Sequence, residues 1–161
     1  MRDSQRGFSL IELLIVVVVI LVIAAIAIPN FMRSRIAANQ ASAVQSLRVI
    51  GGCEVTYSTT YGTGFSATLT QLGPPPGGGP VSTSAAGLLD DLLAAGVKSG
   101  YSFVYTPTNQ DSSGKYYGYA LQANPTVFGQ TGNTYYYTDE THVIRANAST
   151  AATSTDSPVA N

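Results

Sequence analysis

The stretch from Gly7 to Arg35, GFSLIELLIVVVVILVIAAIAIPNFMRSR, decides how the rest of the chain is read. From Phe8 to Ile28 it runs for 21 residues whose only polar side chains are Ser9 and Glu12. At a rise of ~1.5 Å per residue, about 20 apolar residues cross a hydrocarbon core ~30 Å thick, so the segment is long enough for a single membrane span. Arg2 and Arg6 precede the span, and Arg33 and Arg35 follow it. Glu12 is out of place. A carboxylate inside a membrane helix costs about 2.5–3.5 kcal/mol on insertion scales and marks a functional position by default. No Lys, Arg or His lies within the span, so its partner must come from elsewhere.

A free α-amino group would serve. A cut after Gly7 would make Phe8 the new N-terminus and Glu12 the fifth residue, one helical turn from its own amine. The amine of a neighbouring copy is equally available if helices pack with a small axial stagger. With RGFSLIELLIVVVVILVIAAIAIP in view, the chain resembles the class III signal of type IV pilins and type II secretion pseudopilins. That resemblance covers about the first 35 residues. It implies that a prepilin peptidase cuts between Gly7 and Phe8 and methylates the Phe8 amine. It further implies that Glu12 guides docking into a growing filament, and that Pro29 marks a place where the helix loses regularity. The expected product is a homo-oligomeric helical filament built by an assembly platform and motor from subunits stored in the inner membrane. It would end as an extracellular type IV pilus or, in the close alternative, a periplasmic type II secretion pseudopilus.

Other readings of the stretch explain less. A secretory signal also has a basic start and an apolar core, and Ala25-Ile26-Ala27 has the A-x-A form, which would release a secreted protein. The run is longer than the usual 7–15 residues, however, and Glu12 sits inside it. A plain anchor for a periplasmic binding module accounts for the length but for neither Glu12 nor the Gly-Phe boundary.

The chain has 161 residues and a formal charge of −1; without Met1 to Gly7 the charge is −2. Nothing resembles the basic stripe of a nucleic-acid binder. Only 11% of residues are charged, which suits a surface covered by identical neighbours. Cys53 is the sole cysteine, so no internal disulfide can form, and a mostly buried place on the helix is expected for it.

After Pro29, Ile36, Ala43, Val44, Leu47 and Ile50 recur at helical spacing, with Arg33, Arg35, Asn39, Gln45 and Arg48 around them. One helix is expected from about Phe8 to Tyr57. It has a kink or local melting at Pro29 and a weak point at Gly51-Gly52. Phe65, Leu69 and Leu72 should dock on its second half. GPPPGGGP, from Gly73 to Pro80, can be only a loop. Ser82 or Ser84 should cap a short helix containing Leu88, Leu89, Leu92 and Leu93 and ending at Gly96. Strands are expected over 100–106, 115–123, 134–138 and 142–146, with turns at Asp111-Ser112-Ser113-Gly114 and Asp139-Glu140-Thr141. The fold class is therefore α+β: a long N-terminal helix packed on a small antiparallel sheet of three or four strands, as in pilins. Its parts are a leader (1–7), a membrane and filament-core helix (8–28), an amphipathic continuation (29–60), a globular head (61–146) and a flexible tail (147–161).

No enzymatic role is expected. His142 is the only histidine, no G-x-S-x-G nucleophile motif is present, and zinc would need more Cys or His ligands than the chain holds. No cofactor is expected either. Calcium is weighed because pseudopilins of the resembling family bind it in C-terminal loops, and Asp111, Asp139 and Glu140 are loop acids. Their spacing matches no organised Ca²⁺ loop. Asn147-Ala148-Ser149 fits a glycosylation sequon. The ten tyrosines must fall on both sheet faces, since side chains alternate.

Overall fold

The computed structural model describes residues 9–159, which divide after Arg35 into two compact units. Helix α1, Leu10–Tyr61, begins in the first and ends in the second. In the first unit its apolar side chains, from Leu10 to Met32, lack cover on all sides. The backbone stays helical through Pro29, so the melting expected there is absent. Proline removes one N–H and crowds one carbonyl. A helix in apolar surroundings has every reason to keep its remaining bonds, because nothing else there would satisfy those groups.

In the second unit the buried positions of α1 are Ala43, Ser46, Leu47, Ile50, Gly51, Glu54 and Tyr57. Steps of three and four residues put them on one face. That face packs against a five-stranded antiparallel sheet in sequence order: β1 Val97–Lys98, β2 Tyr101–Gln110, β3 Tyr116–Pro125, β4 Tyr135–Asp139 and β5 Arg145–Asn147. The register pairs Phe103 with Ala123, Tyr105 with Leu121, and Ala123 with Tyr136. Period-two alternation then sends Tyr101, Phe103, Tyr119, Leu121, Ala123 and Tyr136 into the core with Leu47 and Ile50. Each large apolar side chain so buried stabilises by about 1.5–3 kcal/mol relative to exposure. Asn39 Nδ2 donates to the Thr131 carbonyl at 2.9 Å, and Gln40 Nε2 to Thr134 Oγ1 at 3.1 Å, tying the N-terminal end of this stripe to the loop before β4.

Leu69 and Leu72, on α2 (Leu69–Leu72), join the core, and Phe65 meets Tyr119 of β3 edge-on at 5.1 Å. Residues 73–80 are a loop with one 3₁₀ turn, Pro76–Gly78, buried at Gly73 and exposed from Pro76 onward.

Four expectations are corrected. The short helix is only α3, Asp91–Ala94, and Asp90 rather than a serine caps it, accepting from Leu93 N–H at 2.9 Å. Leu88 and Leu89 cannot be helical because both of their N–H groups donate to the Leu72 carbonyl, at 2.8 and 2.9 Å. A fifth strand, β1, is added through a Ser99-Gly100 turn with both φ positive, the geometry of a type I′ hairpin. The last strand starts at Arg145, since His142 (φ 60) is held in a turn by its N–H bond to the Asp139 carbonyl. Finally, the tail expected to be flexible folds back. Ala146 N–H donates to Ser157 O, and Val159 N–H donates to Ile144 O. Gln122 Nε2 reaches Ala152 O, and Ala152 is fully buried. Asp156 gathers Asn147 Nδ2 and the Thr153 N–H.

Candidate assembly site

The start of α1 shows how a carboxylate is accommodated at the head of an apolar helix. Ser9 precedes the first helical residue and Glu12 is the third, the spacing of a capping box. Glu12 Oε2 accepts the Ser9 N–H at 2.9 Å, satisfying one of the donors that every helix N-terminus leaves free. The acid also lies in the first turn, where the positive end of the helix dipole favours it. Next to it, Leu10, Leu13, Leu14 and Val17 line a shallow apolar groove along one side of the helix. Glu12 is therefore bonded to the amide that immediately follows Phe8. Gly7 and Phe8, the expected cleavage pair, lie outside the described residues.

This arrangement is polar only at its tip. Apart from Glu12 the start of the helix is hydrocarbon, and the apolar stretch that includes it is long enough to cross a membrane, none of it buried. Residues 2–28 match the family model of the prokaryotic N-terminal methylation motif. The chain carries a class III signal. That signal is characteristic of type IV pilins and pseudopilins, and it supports a prepilin-like structural subunit. It also implies processing by a prepilin peptidase and membrane anchoring through the helix. No curated protein and no solved structure matches the chain.

The other residues singled out in the sequence are not brought together. Asp111 Oδ1 accepts from Ser113 N–H, Ser113 Oγ and Lys115 N–H, bonds that close its own turn and hold its carboxyl below the ordinary range. Asp139 Oδ1 accepts from Thr141 N–H and Thr141 Oγ1, and Glu140 Oε2 accepts from Tyr119 N–H at 3.3 Å. Among the described residues no group of three or more His, Cys, Asp or Glu is placed to hold a metal ion. His142 is exposed. Asn147 of the sequon is engaged at both ends of its amide, accepting from Ser149 and Thr150 and donating to Asp156. Cys53 is half-buried, its Sγ donating to the Leu88 carbonyl at 3.1 Å, and burial pushes the thiol up.

The tyrosines divide between core and surface. Tyr101, Tyr119 and Tyr136 are in the core, while Tyr117, two residues before Tyr119 on β3, is exposed. Tyr101 Oη donates to Thr134 O at 2.8 Å, and burial pushes its hydroxyl up to about 12.

Two features escaped the sequence reading. The S-x-x-E spacing of Ser9 and Glu12 announces the capping box. Glu54, an acid on the buried stripe between Ile50 and Tyr57, announces a buried carboxyl.

Proposed function

We propose that the chain is the structural subunit of a type IV pilus, cut between Gly7 and Phe8, N-methylated at Phe8, and polymerised through α1. The observation that carries this reading is the coincidence of the class III signal with a helix that is uncovered hydrocarbon on every side and has Glu12 at its head. Before assembly the helix would be stored across the inner membrane. Afterwards it would pack against copies of itself, where close van der Waals contact and hydrogen bonding, rather than exclusion of water, drive association. Glu12 would exchange the Ser9 N–H for the amine of a neighbouring Phe8, giving register to an otherwise featureless stripe. The assembly platform and motor are the remaining expected partners. The class III signal supports a type II secretion pseudopilin equally, in which case the filament would be periplasmic.

Intact mass and N-terminal fragment mass, taken from sheared surface filaments and from membranes, test the proposal. A chain starting at N-methylated Phe8 in the sheared fraction is expected. The same species confined to membranes would favour the pseudopilin. A start at Met1 or Ile28 would overturn the reading of the whole stretch.

A further inference from the structure

Glu54 is fully buried and takes no part in the assembly site. Its carboxyl meets Ser66, in the segment 65–68 that follows α1, at two points. Ser66 N–H donates to Oε2 at 2.9 Å, and Ser66 Oγ lies 2.6 Å from Oε1. Ser66 Oγ also lies 3.1 Å from the Thr68 carbonyl, which the Gln71 N–H serves as well. Tyr105, whose hydroxyl also bears on the carboxyl, donates to the Ser66 carbonyl at 2.9 Å. The carboxyl is thus held at both oxygens by one residue, out of reach of water.

The surroundings agree. The titratable side chains that face Glu54 among the described residues are Cys53 and Tyr57 on α1, Tyr105 on β2 and Tyr119 on β3. None is a cation, and an ionised carboxylate buried without one is expensive. His142 stands one turn away against Gly51.

We propose that Glu54 is held as the neutral acid, bonded to Ser66 through both oxygens, and that the joint between α1 and the segment 65–68 is a proton-sensitive clamp that rising pH weakens. When Glu54 gives its proton to water, the new charge sits buried among tyrosines. Because burial is the main influence and lifts Glu54 above its unfolded value of about 4.3, the clamp is at full strength below that pH. Its contribution is lost as the pH climbs through the folded value. Asp90, Asp111 and Asp156 shift the opposite way, so their contributions fade only in stronger acid.

The test uses the full chain in detergent micelles, followed by thermal unfolding in the near-ultraviolet circular dichroism of its tyrosines. Between about pH 5 and about pH 8 the wild-type midpoint should fall by several degrees. Glu54→Gln keeps a donor toward Ser66 Oγ and an acceptor for Ser66 N–H. It should match the wild type at the acid end and lose that decline. A wild-type midpoint that is flat or rises over the range overturns the clamp, as does Glu54→Gln unfolding well below the wild type at the acid end or declining alongside it. Should the variant fail to fold, the ¹³C carboxyl resonance of Glu54 in the wild type decides. A protonated position at neutral pH upholds the inference, and titration with ordinary glutamates refutes it.

Discussion

Two adjacent glycines on one helix should respond oppositely to the same substitution. Gly51 and Gly52 each cost α1 about 0.8–1 kcal/mol relative to alanine by helix propensity. A Cβ built at Gly52 meets nothing within 4 Å, so Gly52→Ala should keep most of that gain, about 0.5–1 kcal/mol. A Cβ at Gly51 would stand 2.7 Å from His142 Nδ1 and 3.3 Å from Tyr119 Oη. The His142 ring would have to move while its backbone is pinned in a turn at φ 60. Overpacking of this kind costs about 1–3 kcal/mol, which cancels or exceeds the propensity gain. Gly51→Ala should therefore be neutral or destabilising by up to about 2 kcal/mol. For a folded unit of this size each kcal/mol moves the melting midpoint by roughly 3–5 °C. Thermal unfolding of the full chain in micelles, with both single variants, His142→Ala and the Gly51→Ala/His142→Ala double variant, forms a cycle. Removing the ring should restore the gain at Gly51, a coupling of about 1 kcal/mol or more. If Gly51→Ala stabilises as much as Gly52→Ala, and His142→Ala changes nothing, the packing described around Gly51 is wrong.

Glu12→Ala should still insert and be processed but be missing from filaments assembled beside wild-type subunits; quantitative mass spectrometry of the sheared fraction reads this, and normal incorporation would remove the argument from register. Asp156→Ala loses the acceptor for Asn147 and Thr153, so limited proteolysis should cut within 147–159 faster than in the wild type. Its carboxyl is held low chiefly by the Thr153 N–H, so acid below about pH 4 should open the same loop in the wild type. Tyr119→Phe removes a buried hydroxyl that lacks a partner among the described residues, and should leave the midpoint unchanged or raise stability by up to about 1 kcal/mol. A marked loss would mean that the hydroxyl is bonded after all.

The helix and the sheet were legible because each repeats a simple period. Hydrocarbon from Phe8 to Ile28, the stripe through Leu47 and Ile50, and the alternation of Tyr101, Phe103 and Tyr105 each point to one element. What was not legible depended on partners distant in sequence. The leucines at 88 and 89 have helical neighbours, yet Leu72 takes their N–H groups. The tail has no periodicity at all, and its order comes from Asp156 and from pairing with 144–146. Glu12 stood out because a charge in hydrocarbon is conspicuous. Glu54 did not, because the Cys53-Glu54-Val55 stretch around it looks ordinary until the strands that cover it are known.

The margins of the sheet carry a consequence for a chain that meets copies of itself at close quarters. An open strand edge is a template for another strand, and stacked identical subunits would offer many such templates at high local concentration. Here β1 is only two residues long and ends in Lys98, and the far side of β5 is taken up by Ser157, Pro158 and Val159. The rest of the first margin is β2 from Val104 to Gln110, which β1 does not reach but which Pro107, with no N–H to offer, interrupts. Crowded subunits are thereby steered away from amyloid-like association, and contact between copies is left to surfaces whose geometry a filament can control.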